Sequence, residues 1–404
     1  MNGLAKVLRA LWRRSLYLWF IPGILAAVII FLIRPLWCIR FCIVGFERIG
    51  NLYVVLYYWN LSAAGEIRKR TTNIFYLTPH VSFVANRQWQ LMITRKTKFF
   101  PLNGLCWAVE RVLSRLPRPE AHQIPVFHPP TGDLLTLIWQ AKAPLLEFTA
   151  EERRLGEEGL RRLGVPDRNE FICFHTRDAA YLNNVGKGKD WTYHDYRDTG
   201  IKNYVAAVER YLMSSERYAL RMGAVVAEDV AMSHPHMLDY ATTRERGDLM
   251  DIYLSARCRF FLGTDCGMTI FPETFRRPMV YVNWVADTRV PYYCHNGRVI
   301  MKKWYDIRGK RFLTFSEMFR LLGNSNMDIR GWGVELVDNT PDEILAVMAE
   351  IDEVIDGKWD CTKEDERLQA RFWDLCGREK WHSAMFRVGR EFLRDNAPAL
   401  GIGR

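Results

Sequence analysis

A glycine-flanked acidic turn follows an apolar run in the second half of the chain. Its residues are Gly263, Thr264, Asp265, Cys266 and Gly267. Glycines allow the backbone to approach a ligand closely, and free backbone N–H groups where a helix begins bind phosphate. Thr264 can donate a hydrogen bond to a phosphate oxygen, whereas Asp265 would repel one and fits a helix cap or a sugar hydroxyl better. The turn therefore predicts a diphosphate-binding site, with a simple capped turn as the alternative.

A His-Thr-Arg motif follows another apolar run, with His175 and Arg177 at its ends. A guanidinium group is well shaped to bind phosphate through two parallel hydrogen bonds. The alternative for Arg177 is an ion pair with Asp178 or Asp198. His175 fits a catalytic histidine and a hydrogen-bonded core histidine equally well. Three more residues that directly follow apolar runs are predicted to bind the same ligand: Arg221, Gly223 and Asn283.

Motifs for metal binding and nucleotide hydrolysis are missing from the sequence. The pair His234-Pro-His236 has no acid–cysteine set nearby, so it fits a surface loop better than a metal site. There is no P-loop, no Gly-x-Ser-x-Gly and no Gly-x-Gly-x-x-Gly. Hydrolase and nucleotide-kinase functions are therefore disfavoured, and no metal ligand is predicted.

The elements that position these residues alternate regularly from residue 170 onward. The apolar runs are continuous, which is typical of parallel strands covered on both faces. In open parallel sheets, ligands bind beyond the carboxyl ends of the strands, so the polar residues should meet in one crevice. The pattern predicts strands at 170–175, 218–223, 259–263 and 278–284, and helices at 201–213, 248–256 and 269–275.

At 404 residues the chain is too long for one ordinary core. Residues 46–148 are predicted to form a small α/β domain, with strands at 46–56 and 73–77. A capping box at Thr149-Ala-Glu-Glu152 begins a connecting helix that ends near Leu163. The alternating domain then covers 149–340, and amphipathic patterns predict a helical tail over 341–404.

The first 45 residues are predicted to anchor the chain to a membrane. Leu16–Ile33 is an uncharged run of 18 residues, just long enough to cross a bilayer. Residues 1–70 hold ten basic and two acidic side chains, which accounts for +8 of the formal net charge of +10. Basic residues around an apolar segment indicate anionic lipid rather than nucleic acid. Whether the segment spans the bilayer, re-enters it or lies in its plane stays open, and a buried core helix is the alternative.

Nine cysteines without a Cys-x-x-Cys pair indicate a reduced protein that faces the cytosol. The expected location is therefore the cytoplasmic face of the inner membrane.

Residues from about 150 to 290 resemble the C-terminal half of a bacterial family of predicted glycosyltransferases of surface-glycan biosynthesis, distantly similar to the fucosyltransferase-like enzymes. The resemblance depends on several segments in order: FICFHTRDAAYL, YRDTGIKNYVAAVERYL, YALRMG, DYATTRERGDLMDIYLSARCRFFLGTDCGM and RPMVYVN. It implies a GT-B fold, in which two Rossmann-like domains face a cleft. The family's His-x-Arg motif binds the donor diphosphate and falls here on His175 and Arg177. Asp178 stands where those enzymes usually have a second Arg, which argues against GDP-fucose as the donor.

The resemblance also implies metal-independent chemistry with inversion at the sugar, and a general base from the N-terminal domain. The candidates are Glu47 and His80. The expected function is transfer of a sugar from a nucleotide-sugar donor to a lipid-linked or surface-glycan acceptor, without a cofactor and without nucleic acid. The alternatives are a transferase of another activated group and a membrane scaffold without turnover. The oligomeric state is left open.

Overall fold

The computed structural model describes the chain in segments that form two compact units. One unit comprises Met1–Ala141 and Leu145–Glu147, and the other comprises Lys142–Pro144 and Phe148–Arg404. The residues described are 16–63, 70–79, 83–124, 143–167, 170–181, 192–230, 232–285, 296–324, 329, 331–377 and 386–401.

The described part of the N-terminal unit combines four α-helices with a short parallel sheet. Strand β1 pairs with β2 from Cys38 opposite Thr71 to Val44 opposite Leu77. Single bridges join Phe41 to Gln123 and Phe75 to Phe99. The described residues of this unit thus contain a two-stranded parallel sheet extended by single bridges. The elements are α1 (Phe20–Ile33, after a 3₁₀ turn at Leu16–Trp19), β1 (Cys38–Val44), α2 (Tyr53–Ala63), β2 (Thr71–Leu77), α3 (Arg87–Lys96) and α4 (Asn103–Leu113).

The strand predicted at 46–56 is wrong, because this segment forms a 3₁₀ turn at Ile49–Leu52 and the first part of α2. Val54, Val55 and Leu56 are all buried, so the start of the helix is apolar around its circumference. A fully apolar run shows no helical periodicity, and its β-branched residues then favour a strand prediction. The strand predicted at 73–77 is confirmed within β2.

Among its described residues, the C-terminal unit has a sheet of seven parallel strands in the order β12-β8-β7-β6-β3-β4-β5. The chain runs outward from β3 to β5 and then returns to place β6 on the other side of β3. Helices cover this parallel sheet, so the unit has a mixed α/β fold. The strands are β3 (Phe171–His175), β4 (Tyr218–Arg221), β5 (Met237–Leu238), β6 (Phe261–Gly263), β7 (Met279–Trp284), β8 (Gly297–Met301) and β12 (Phe386–Val388).

Sequence-encoded caps fix several helices of this unit. Thr149, Thr340 and Thr362 each accept a backbone N–H and complete a capping box, as the motif at Thr149 predicted. The helices are α5 (Ala150–Arg162), α6 (Lys202–Leu212), α7 (Asp248–Arg257), α8 (Ile270–Thr274), α9 (Phe315–Asn324), α10 (Pro341–Ile355), α11 (Lys363–Leu375) and α12 (Arg390–Asp395).

The predicted alternation of strands and helices between 170 and 284 is confirmed, with shifts of a few residues at the ends. The sequence patterns did not reveal β5, β8 or β12. Nor did they reveal a small antiparallel sheet of β9 (Lys303–Asp306), β10 (Arg311–Phe312) and β11 (Val334–Val337). Strand β12 lies in the segment predicted as a helical tail, and it pairs with β8 in the main sheet.

Candidate functional site

The strand order of the main sheet reverses between β3 and β6, which lie side by side with His175 opposite Gly263. Such a reversal opens a crevice beyond the carboxyl ends of the two strands, because the connections leave them toward opposite edges. The loops that leave these strands are His175–Asp178 and Gly263–Gly267. Both motifs that the sequence singled out therefore border the switch point of the sheet.

Arg177 is buried in this crevice and forms an ion pair with Asp198. This contact is the alternative considered for Arg177 from the sequence. Asp178 does not pair with it, since its carboxylate accepts from the backbone N–H groups of Ala180 and Ala227 at 2.8 and 3.0 Å. Burial lowers the pKa of Arg177, and the charge of Arg197 lowers it further. Two crowded guanidinium groups favour an anionic ligand, because each additional negative charge relieves their repulsion.

Arg197 is a second cation at the crevice, which sequence reasoning missed. It ends the 3₁₀ helix Thr192–Arg197, and its Nη1 lies 3.3 Å from Oδ2 of Asp265 in the Gly-Thr-Asp-Cys-Gly turn. The pattern of strand ends could not reveal it, since no strand precedes it. The sequence signal that could have indicated Arg197 is its position next to Asp198 in the segment Tyr-Arg-Asp-Thr-Gly.

Lys302 is a third cation, also missed, and it follows the end of β8. Its Nζ lies 3.0 Å from Oδ1 of Asp338 and donates to the carbonyl of Asp198 at 2.6 Å. The hydroxyl of Thr199 donates to Asp338, and the Thr199 N–H donates to the Arg177 carbonyl. These contacts hold the segment 198–199 beside the loop that carries Arg177.

His175 ends β3, and its Nδ1 lies 2.9 Å from the carbonyl oxygen of Met222. A carbonyl only accepts, so Nδ1 carries the proton and Nε2 of the neutral ring is an acceptor. Burial acts to lower the pKa of His175, but Cys266, the Met222 carbonyl and Asp178 outweigh it, so the pKa is raised. Gly223 lies next to this histidine, since a Cβ there would be 3.9 Å from the ring Nδ1 and 2.7 Å from Val226.

Thr264 has a buried hydroxyl for which the described part of the chain offers no hydrogen-bond partner. The residue is 1% exposed, and its Oγ1 is unsatisfied. A hydroxyl without an internal partner can donate to an oxygen atom of a ligand. A Cβ at the neighbouring Gly263 would lie 3.4 Å from the His175 carbonyl, which shows how closely the two loops approach.

The helix after this turn is short. Cys266 precedes the 3₁₀ turn Gly267–Thr269, which leads into the five residues of α8. The predicted helix at 269–275 is thus present, but so few aligned peptides leave little helix dipole at its start. The electrostatic case for anion binding therefore depends on Arg177 and Arg197.

Two predicted ligand-binding residues have their polar atoms engaged within the protein. Arg221 donates to Asp239 at 3.0 Å and to the carbonyl of Glu228 at 2.9 Å. Asn283 has φ = +54°. Its backbone N–H donates to Oδ1 of Asn339 at 2.7 Å, and its own Oδ1 accepts from the backbone N–H of Asn339 at 2.6 Å. The structure thus shows these side chains fastening strand ends.

Glu47 lies in the N-terminal unit, after β1. Its Oε2 is 2.5 Å from the place a Cβ would occupy on Gly45, next to the hydroxyl of Thr78. His80 lies outside the described residues. Within the described segments, no group of three or more His, Cys, Asp or Glu side chains is arranged to hold a metal ion.

No family model matches the sequence, and no curated protein matches it. Among the solved structures similar to this chain, two cover 65% of it. One is a glycosyl transferase family 9 protein from Veillonella parvula DSM 2008, with 12% identity, a TM-score of 0.36 and 86% of its own length covered. The other is the E. coli ADP-heptose LPS heptosyltransferase II, with 11% identity, a TM-score of 0.34 and 90% covered. Both are glycosyltransferases. The identities and TM-scores are low, so the residues of the site support the function proposed below.

Proposed function

We propose that this chain is a glycosyltransferase that takes a sugar from a nucleotide-sugar donor and transfers it to a lipid-linked or surface-glycan acceptor. One observation carries the proposal: the buried cation Arg177 and the unsatisfied hydroxyl of Thr264 border the switch point of a parallel sheet. The sequence resemblance to transferases with a His-x-Arg motif supports the same function. The similarity to the fucosyltransferase-like enzymes stays a prediction.

The donor diphosphate is proposed to bind between the loops after β3 and β6. Arg177 and Arg197 supply the positive charge, and Thr264 donates its hydroxyl to a phosphate oxygen. The carboxylates of Asp198 and Asp265 hold the two guanidinium groups in place before the donor arrives. His175 is proposed to act beside them, while Arg221, Gly223 and Asn283 shape the surrounding strand ends.

Transfer is proposed to break the bond between the anomeric carbon and the diphosphate oxygen while the acceptor hydroxyl attacks from the opposite face. Inversion at the sugar follows from that single displacement. The guanidinium groups stabilise charge on the leaving diphosphate, so the reaction is proposed to need no metal ion. The acceptor proton passes to a general base, for which Glu47 and His80 stay the candidates. The GT-B arrangement is part of the same proposal.

The protein is also proposed to work at the cytoplasmic face of the inner membrane. The run Leu16–Ile33 has the length and composition of a membrane segment, and only 17% of it is buried. A lipid-linked acceptor would be presented at that surface.

Thermal-shift measurements with GDP-, UDP-, dTDP- and CMP-sugars test the donor site. The correct donor stabilises the folded state by mass action, by about 2.7 kcal/mol at a hundred times its Kd. Loss of a charge-assisted clamp costs about 1.5–3 kcal/mol, so Arg177→Ala should weaken donor binding roughly 10- to 150-fold. Arg154→Ala, which removes an exposed arginine on α5, is the matched control. Equal affinities for both variants, each still folded, would show that Arg177 is structural.

A second candidate, a nucleotide-binding scaffold without turnover, is favoured by the two ion pairs Arg177–Asp198 and Arg197–Asp265. Product analysis separates the candidates. Sugar transfer that persists in EDTA supports the enzyme, and donor binding without any product supports the scaffold. Loss of transfer in EDTA, restored by Mn²⁺ or Mg²⁺, would contradict the metal-independent mechanism.

A further inference from the structure

Helix α1 and the 3₁₀ turn before it have two different faces, although every residue from 16 to 33 is uncharged. One face packs on α4. A Cβ on Gly23 would lie 2.8 Å from Cβ of Ala108, so the two backbones are in close contact there. Ala27 is fully buried in the same cluster, beneath Phe41 and Val109.

The opposite face is a continuous apolar surface. The exposed positions from 17 to 32 recur at helical spacing, which places them on one side of α1 and the turn before it, and Leu36 follows in the turn after α1. Monomeric soluble proteins rarely expose apolar patches of more than a few hundred Å², so a surface of nine such side chains indicates a partner. They are Tyr17, Leu18, Ile21, Ile24, Leu25, Val28, Ile29, Leu32 and Leu36, between 44% and 82% exposed. We call these nine residues the apolar face.

The contact with α4 extends along the whole helix. At its start, the indole of Trp19 packs on Gly104 so closely that a Cβ there would overlap the ring. Just after α1 ends, Nη1 of Arg34 donates to the carbonyl of Pro117, in the segment that follows α4, at 3.1 Å. A helix that packs along its length on α4 cannot be surrounded by lipid on all sides, so a transmembrane arrangement of α1 conflicts with this packing.

Basic side chains lie beside the apolar face. Exposed Arg111 on α4 stacks over Trp107 at 5.3 Å, and Trp107 contacts Phe20 of α1. Arg115 is exposed in the turn that follows α4, and Arg34 follows the end of α1. Arginines at this position suit anionic headgroups, since they border the apolar surface without entering it.

We propose that the apolar face lies in the plane of an anionic lipid bilayer and holds the N-terminal unit on the membrane without crossing it. An in-plane helix normally turns a polar side toward water. Here α4 and the sheet behind it take the place of that polar side. The proposal specifies the membrane association included in the proposed function, and it does not depend on sugar transfer.

Sedimentation of the full-length protein with vesicles of phosphatidylcholine, with and without phosphatidylglycerol, tests this surface. Ile21→Asp, at a position 82% exposed, should leave the fold intact and lower partitioning about tenfold or more. Met213→Asp, at a position 81% exposed on the C-terminal unit, is the matched control and should not change partitioning. Arg111→Gln together with Arg115→Gln should reduce only the gain that phosphatidylglycerol provides.

The depth of α1 in the bilayer distinguishes an in-plane from a spanning helix. Leu18, Leu25 and Leu32 are spaced by seven residues and all lie on the apolar face. A fluorescent amino acid placed at each position in turn is quenched by lipids brominated at known depths. Similar, shallow depths support the proposal. A spanning helix would change depth by about 10 Å per step, with Leu25 near the bilayer centre, and would overturn it.

Self-association through the apolar face is the remaining outcome to distinguish. If the protein does not bind vesicles and Ile21→Asp converts a dimer to a monomer, the face joins two copies and the proposal is wrong. Donor binding is measured on the same variants by thermal shift. If the protein binds vesicles but binds no donor, the result would therefore contradict the proposed function and leave the membrane proposal intact.

Discussion

At the scale of single residues, Thr264 links the stability of the protein to its proposed ligand. An unsatisfied buried hydroxyl costs about 1–3 kcal/mol relative to a paired one. Proteins accept such costs at sites that a ligand completes. The residue lies one position after β6, next to Gly263, which faces His175 across the switch point.

Thr264→Val should therefore stabilise the free protein while weakening its function. The valine keeps the branched shape and removes the unsatisfied oxygen, so we expect a gain of about 1 kcal/mol in the free energy of unfolding. Donor affinity or turnover should fall, since loss of one phosphate donor lowers turnover roughly 100- to 1000-fold. Thr264→Ser, which keeps the hydroxyl, is the matched control. A variant that is both less stable and fully active would show that the hydroxyl has an internal partner.

His175, Arg177 and Thr264 lie at or just after the ends of the neighbouring strands β3 and β6, as the strand-end pattern predicted, because parallel strands end at a common edge. The pattern could not show which polar atoms would be used internally. Arg221 ends β4 and Asn283 is the penultimate residue of β7, yet their hydrogen bonds are made with Asp239 and Asn339. Lys302 was not predicted because β8 was not predicted, although the apolar residues Val299–Met301 and the lysine after them are visible in the sequence.

At the scale of elements, the contact between α1 and α4 shows the limit of hydrophobic patterns. A helix that is apolar all round carries no signal for which side is buried. The structure assigns the sides through small residues, since Gly23 and Ala27 face inward where larger ones would not fit. Helix α5 packs on α7 in a similar way, with Gly156 against the ring of Tyr253.

Gly23→Leu should separate α1 from α4. Forcing a large side chain into a packed contact typically costs about 1–3 kcal/mol, and here even a Cβ would come within 2.8 Å of Ala108. Val28→Leu adds bulk on the apolar face and serves as the control. Urea unfolding of both variants measures the difference. Equal stability for the two would mean that α1 is held less tightly than the contacts with Gly104 and Pro117 indicate.

At the scale of the whole molecule, the charges of the N-terminal segment and those of the C-terminal unit have different roles. The excess positive charge lies in the first 70 residues, around the segment proposed to contact lipid. The C-terminal unit instead pairs its buried charges, as in Arg259 with Asp352 and Arg298 with Glu350. Protonation of one partner of such a pair leaves an uncompensated buried charge. The free energy of unfolding of this unit should therefore depend on pH.

Asp251 on α7 should make the protein less stable as the pH rises toward neutrality. The residue is 3% exposed, and its carboxylate accepts from the hydroxyl of Tyr240 at 2.7 Å and lies 3.3 Å from Arg246. Burial raises its pKa from 3.8 to about 6, and the partners only partly oppose this shift. The folded protein therefore holds the proton more tightly than the unfolded chain does. Its stabilising contribution is fully present below pH 3.8 and is lost as the pH rises through about 6.

The expected loss is on the order of 2–3 kcal/mol between the two pKa values. Urea midpoints of the wild type and Asp251→Asn, measured from pH 4 to 7, isolate the contribution of Asp251 to stability, because the asparagine cannot titrate. The variant should lose less stability than the wild type over this range. The pKa of Asp365 is shifted in the opposite direction, because its hydrogen bonds with Arg394 and Thr362 outweigh burial and lower the pKa. Asp365→Asn should thus leave the loss of stability between pH 4 and 7 unchanged. Parallel pH profiles for the wild type and Asp251→Asn would show that Asp251 is already ionised well below pH 6 in the folded protein.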